Sequence, residues 1–219
     1  MTELFLDTAD LDAARDLLGS GLFAGVTTNP LLIERAGLTA ADLPRLVESA
    51  RDLGLKRIFV QAWGNDEREL SATSDWIRQL GDSVGVKLPV TPPGLAVTRR
   101  LVERGVPVLV TAVYHAKQLV LADAVGATYV APYVGRMTDQ GRDGIAETLR
   151  MQRILAATGS RTRLLVASLR SVREVVELAE GGVEAFTISP ALAAELTSDP
   201  LTDVAVADFE RAAAAADVR

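Results

Sequence analysis

The chain has 219 residues, 48% of them hydrophobic and 24% charged, with a net charge of −6. That balance suits one globular domain with a sizeable core. The sequence has no cysteine and a single histidine. A disulfide framework, thiol catalysis and thiolate ligation are therefore excluded, and a histidine-based metal site is not expected. No basic stripe and no apolar run near the ~20 residues that cross a bilayer are present, so neither nucleic acid nor membrane is an expected partner. Met1-Thr2-Glu3-Leu4 lacks the basic and apolar regions of a signal peptide, and a cytoplasmic location is expected.

Short apolar runs occur at residues 4–7, 25–28, 57–62, 84–88, 106–112, 128–133, 163–168 and 185–189. Between them the apolar spacing becomes helical, as in Leu43, Leu46, Val47, Ala50 and Leu53, or Val172, Val175, Val176 and Ala179. A glycine closes most helical stretches, at Gly21, Gly54, Gly81, Gly105, Gly126, Gly159 and Gly182, where a left-handed C′ residue belongs. Strands alternating with helices imply parallel βαβ units, and this number of units predicts a (β/α)₈ TIM barrel as one domain over 1–219. A doubly wound open sheet is the alternative. Its usual glycine-rich loop after the first strand is absent from Asp7-Thr8-Ala9-Asp10. An additional C-terminal helix is predicted at about 203–219; its alanine run, 212–216, has little to bury in a monomer. It is either a frayed end or packs on a neighbouring subunit.

One strand carries a misfit. In Val84-Gly85-Val86-Lys87-Leu88-Pro89 a lysine interrupts an apolar run that should be buried on both faces. A lysine taken out of water becomes a competent amine nucleophile for a carbonyl; one at a strand end can also simply extend its ammonium to solvent. In a barrel the active site lies at the C-terminal strand ends. Those ends supply Asp7, Thr27, Thr28, Asn29, Gln61, Lys87, Thr111, Tyr133, Arg136, Ser168 and Arg170. Together they offer an amine, a carboxylate for proton transfer, groups to hold a water, and cations for an anionic substrate. Individually, turn chemistry and surface pairing explain many such residues.

Two of these segments are specific. Gly25-Val26-Thr27-Thr28-Asn29-Pro30 resembles the signature of the transaldolase family, and Val86-Lys87-Leu88-Pro89-Val90-Thr91 resembles its Schiff-base strand. The likeness continues in order through Thr111-Ala112-Val113-Tyr114, Ala131-Pro132-Tyr133-Val134-Gly135-Arg136 and Ala167-Ser168-Leu169-Arg170. The chain is similar to the short, single-barrel group of small transaldolases and fructose-6-phosphate aldolases. Gln61 and Tyr133 stand where transaldolases typically carry Glu and Phe, which favours the aldolase side.

The resemblance implies roles. Lys87 would form the iminium with the ketose C2 and Asp7 would handle the C4 hydroxyl proton. Gln61, Thr111 and Tyr133 would hold the relay water. Thr27 and Asn29 would bind the dihydroxyacetone part, and Arg136, Ser168 and Arg170 the phosphate. No cofactor or metal is implied. The partner would be a small sugar phosphate, and a homo-oligomer built as a pentamer or decamer is implied. Leu31, Pro93, Trp63 and His115 depart from the family pattern. A proline at 93 suits a first helical turn, whereas Trp63 and His115 would narrow the mouth if they face it. The expected reaction is reversible cleavage of fructose 6-phosphate to dihydroxyacetone and glyceraldehyde 3-phosphate by a class I aldolase. The alternatives are transaldolase, a non-catalytic phosphosugar-binding barrel, and a lysine-dependent aldolase for deoxyribose phosphate.

Overall fold

A computed structural model describes residues 1–216. Eight parallel strands run β1 (Glu3–Asp7), β2 (Phe23–Thr27), β3 (Arg57–Gln61), β4 (Val84–Pro89), β5 (Val108–Val113), β6 (Tyr129–Pro132), β7 (Arg163–Leu164) and β8 (Ala185–Ile188). Each pairs with its neighbour in sequence, and β8 returns to β1. The barrel closes beyond β7, where Val166 bridges Phe186. The helices are α1 (Arg15–Gly19), α2 (Pro30–Arg35), α3 (Leu43–Asp52), α4 (Glu67–Arg78), α5 (Pro92–Glu103), α6 (Ala116–Ala124), α7 (Val134–Asp139), α8 (Gly144–Thr158), α9 (Val172–Glu180), α10 (Pro190–Leu196) and α11 (Pro200–Ala215).

This is the (β/α)₈ barrel that the alternation predicts. All seven glycines read as helix ends have positive φ, from 61° to 145°. Pro92 and Pro93 occupy the first turn of α5, where a missing N–H costs nothing. The seventh strand is shorter than the 163–168 expected. Ser168 turns the chain out of the sheet at φ 60°, and only isolated bridges continue the pairing.

Alternate strand residues face opposite ways and make two cores. Leu6, Val26, Ile58, Val60, Val86, Leu88, Val108 and Val110 face the helices. Phe5, Phe59, Leu109, Tyr129, Ala131 and Leu165 fill the lumen. Phe5, Phe59 and Tyr129 form an aromatic trio with centroids 5.7–6.2 Å apart, Tyr129 meeting both phenyl rings edge-on. Two glycines make space for it. A Cβ at Gly85 would lie 2.4 Å from Phe59, and one at Gly25 would strike the Arg57 carbonyl at 1.9 Å.

Below the trio, Glu3 accepts from Tyr129 Oη at 2.7 Å and from Arg163 at 2.8 Å. Burial first, and then the hydrogen bond to Glu3, push the Tyr129 hydroxyl up to about 12. Aromatic and apolar side chains thus fill the lumen beneath Lys87.

Helix α11 begins at Pro200, three residues before the expected 203, and residues 217–219 of that expectation lie outside the described residues. It buries none of its residues, and Leu201, Val204 and Phe209 are 80%, 61% and 68% exposed. Among the described residues no helix is long and apolar enough to cross a membrane.

Candidate active site

Strand β4 carries Lys87 on the lumen side, in register with Gln61 of β3 and Leu109 of β5. Its side chain is only 2% exposed, and Nζ donates to the Thr28 carbonyl at 3.4 Å. The aromatic trio packs in the lumen below it, and the amine lines a cleft of about 420 Å³ at the C-terminal strand ends. Asp7, Asn29, Tyr133, Arg136, Ser168 and Arg170 share that cleft with Lys87.

The carboxylate comes from the end of β1. Thr27, opposite it on β2, donates to Asp7 Oδ1 at 2.6 Å, and Thr27 Oγ1 also lies 2.7 Å from Thr187 Oγ1 of β8. Asn29 caps α2. Its Oδ1 accepts from the Leu31 and Leu32 amides at 3.0 and 3.1 Å, so the Nδ2 donors are the ones left for a ligand.

On the other wall, Tyr133 Oη and Thr111 Oγ1 are 2.7 Å apart, and Tyr114 packs edge-on against the Tyr133 ring at 5.7 Å. Arg136 lies over the same ring, 4.8 Å from its centroid. Thr111 is followed by Ala112 at φ 59°, and a register shift in β5 follows. Gly135 sits against the Ser168 carbonyl, to which its amide donates at 2.8 Å. That contact draws the start of α7, and Arg136 with it, over the end of the seventh strand.

Four expected residues, Thr27, Thr28, Gln61 and Thr111, stand beside the cleft instead of lining it with the others; Thr27 acts on it through Asp7, and Thr28 borders a second cavity. Gln61 neighbours Lys87 in register but opens into this second, mostly apolar cavity of about 250 Å³ under Trp63, Ile33 and Leu38. Thr111 reaches the cleft through Tyr133. Trp63 rests against Trp76 at 5.8 Å and forms a wall of that second cavity. His115 does not face the mouth. It caps α6, accepting from the Lys117 amide at 3.1 Å, and sits 3.4 Å from Glu147.

Other residues in the cleft carry no obvious sequence signal. Arg35 is one helical turn beyond Leu31 on α2, and both line the rim. Asp139, at the end of α7, holds Arg170 in an ion pair at 3.0 Å. Thr187 and Ser189 complete the wall from β8. Among the described residues no three His, Asp or Glu side chains converge to hold a metal ion.

The family model described as transaldolase/fructose-6-phosphate aldolase matches residues 4–218. The chain belongs to that family. Its members catalyse aldolase or transaldolase reactions, and this chain is an enzyme of that kind. A probable transaldolase of Rhodospirillum centenum is 37% identical over 94% of this chain and 89% of its own length. One from Chelativorans sp. is 33% identical over 94% of both chains. One from Maridesulfovibrio salexigens is 34% identical over 94% of this chain and 95% of its own length. Among solved structures, a flavocytochrome b2 variant with sulfite bound superposes with a TM-score of 0.59 at 14% identity, over 90% of this chain. This chain spans 58% of that protein's length. A mandelate oxidase variant gives 0.56 at 18% identity, over 87% of this chain and 61% of its own. At that identity the two structures speak for the barrel alone.

Proposed function

We propose that this member of the transaldolase/fructose-6-phosphate aldolase family is a class I aldolase that cleaves fructose 6-phosphate through a Schiff base on Lys87. The observation that carries the proposal is the buried Lys87 amine opening into one cleft with the Asp7 carboxylate and three arginines. Nζ adds to the C2 carbonyl, and loss of water leaves the iminium. Asp7 takes the C4 hydroxyl proton as the C3–C4 electron pair flows into the iminium. Glyceraldehyde 3-phosphate departs and an enamine remains. Protonation at C3 and attack by water release dihydroxyacetone and restore the amine.

The remaining residues have matching chemistry. The Tyr133–Thr111 hydroxyl pair and the Gln61 amide hold the water. Asn29 serves the dihydroxyacetone hydroxyls, and Thr27 acts through Asp7, to which it donates. Arg136, Ser168 and Arg170 suit a phosphate, which guanidinium and hydroxyl donors bind well. Gln61 and Tyr133 stand where transaldolases typically carry Glu and Phe, and it is this family habit that favours release by water over transfer.

A second reading, transaldolase, is favoured by the names of the relatives. There the enamine waits for an aldehyde such as erythrose 4-phosphate. Borohydride trapping with fructose 6-phosphate, followed by peptide mass spectrometry, tests the shared step. An adduct on Lys87 that is lost in Lys87→Met is the expected result, and cleavage surviving in Lys87→Met refutes the mechanism. Free dihydroxyacetone formed without acceptor supports the aldolase, whereas turnover only with erythrose 4-phosphate supports the transaldolase.

A further inference from the structure

We propose that Thr187 is a positioning residue: through Thr27 it forms a hydroxyl relay that fixes the Asp7 carboxylate for carbon–carbon cleavage. The inference rests on the role given to Asp7 above. Three adjacent strands supply the relay, β8, β1 and β2. The two contacts are short, 2.7 Å between Thr187 and Thr27 and 2.6 Å from Thr27 to Asp7.

Proton bookkeeping gives the relay a direction. An ionised carboxylate only accepts, and a threonine hydroxyl has one proton to donate. Thr27 donates that proton to Asp7 Oδ1, so in the contact with Thr187 it must accept. The donor there is Thr187. Thr27 is therefore fixed at both ends, and its proton is directed at Asp7 instead of at a substrate hydroxyl. Among the described residues Oδ2 of Asp7 takes no hydrogen bond, which leaves it to receive the C4 hydroxyl proton.

Burial makes the arrangement purposeful. Thr27 is 0% and Thr187 2% exposed, inside a lumen otherwise filled by Phe5, Ala185 and Ala167. In the run Ala185-Phe186-Thr187-Ile188 a valine of the same shape would fill the space without a hydroxyl to satisfy. A lone threonine there is the same kind of misfit as the lysine of β4, and misfits of this kind gather where function requires them.

The test separates two steps. Imine formation with dihydroxyacetone needs Lys87 but no C4 proton transfer, and borohydride trapping times it. Cleavage of fructose 6-phosphate with erythrose 4-phosphate present needs both, and release of glyceraldehyde 3-phosphate measures it. Thr187→Val and, with no added bulk, Thr187→Ala should lower the cleavage kcat about tenfold, a fraction of what a general base supplies. The expected KM and trapping rate stay within about twofold of wild type, and Thr187→Ser should restore cleavage. Wild-type cleavage in the valine and alanine variants overturns the relay, as does an equal fall in trapping and cleavage. If the wild-type protein itself gives no Lys87 adduct, the Schiff-base reading fails and the relay falls with it.

Discussion

Replacing Gly85 by alanine tests how tightly the lumen beneath the amine is packed. The new Cβ would stand 2.4 Å from Phe59 Cε1 and 2.6 Å from Cδ1, about 1 Å inside ordinary contact. Phe59 cannot move away freely, because its ring already meets Phe5 at 6.0 Å and Tyr129 at 5.7 Å. Overpacking of this kind costs about 1–3 kcal/mol. At about 2–4 °C per kcal/mol for a chain of this size, the melting temperature should fall by roughly 5 °C. The clash is with a side chain, so Phe59→Leu should recover part of the loss, and the double variant should be more stable than the sum of the two changes. Gly25→Ala is the control. Its Cβ meets a backbone carbonyl at 1.9 Å, with Phe5 3.1 Å away, so trimming Phe5 should not rescue it. Thermal unfolding of the single and double variants, read as a double-mutant cycle, is the assay. Additive losses at Gly85 and Phe59 would refute the packing described for the lumen.

Arg35→Ala should raise the KM for fructose 6-phosphate several-fold and leave reaction with dihydroxyacetone unchanged, because only the phosphorylated donor carries a charge for the rim of α2 to hold. Asp139→Asn should lower that KM by freeing Arg170 from its ion pair; steady-state kinetics with both donors checks the two variants. The Tyr129 hydroxyl titrates near 12 in the folded chain against about 10 unfolded. A raised pKa of this kind contributes stability in full below pH 10 and loses it as pH rises from 10 to 12. Chemical denaturation across that range should show the fall, and Tyr129→Phe should flatten it. Phe209→Asp with Leu201→Asp should reduce the mass measured by light scattering if α11 packs on another subunit, as its exposed apolar face suggests for a homo-oligomer; an unchanged mass counts against that assembly.

The barrel is legible in the sequence because its alternation is long and regular, and Lys87 because a charge in an apolar strand has few structural explanations. The short helices α2 and α7 are not legible, since six residues give periodicity too little to work with. Arg35 enters the cleft only because α2 leans over it, a tertiary fact without a local sign. Thr187 is hidden for a different reason. Threonine fits a buried strand as well as valine does by shape, and only the neighbouring hydroxyl and carboxylate give it a purpose. His115 misleads in the opposite way. Its position after Thr111 points toward the mouth, but the ring is drawn back to the start of α6, where it satisfies a helix amide.

The packed floor of Phe5, Phe59 and Tyr129 has a consequence for traffic. With the lumen filled below it, Lys87 faces the cleft at the strand ends, and that cleft is the route described for traffic to the amine. In the proposed reaction the ketose enters there, the aldehyde exits there, and the water that frees the second product follows the same route. Hydrolysis and aldehyde exchange therefore compete for one passage. A substitution at the rim, at Leu31 or Arg35, alters which arrives first without touching the residues that make or break bonds.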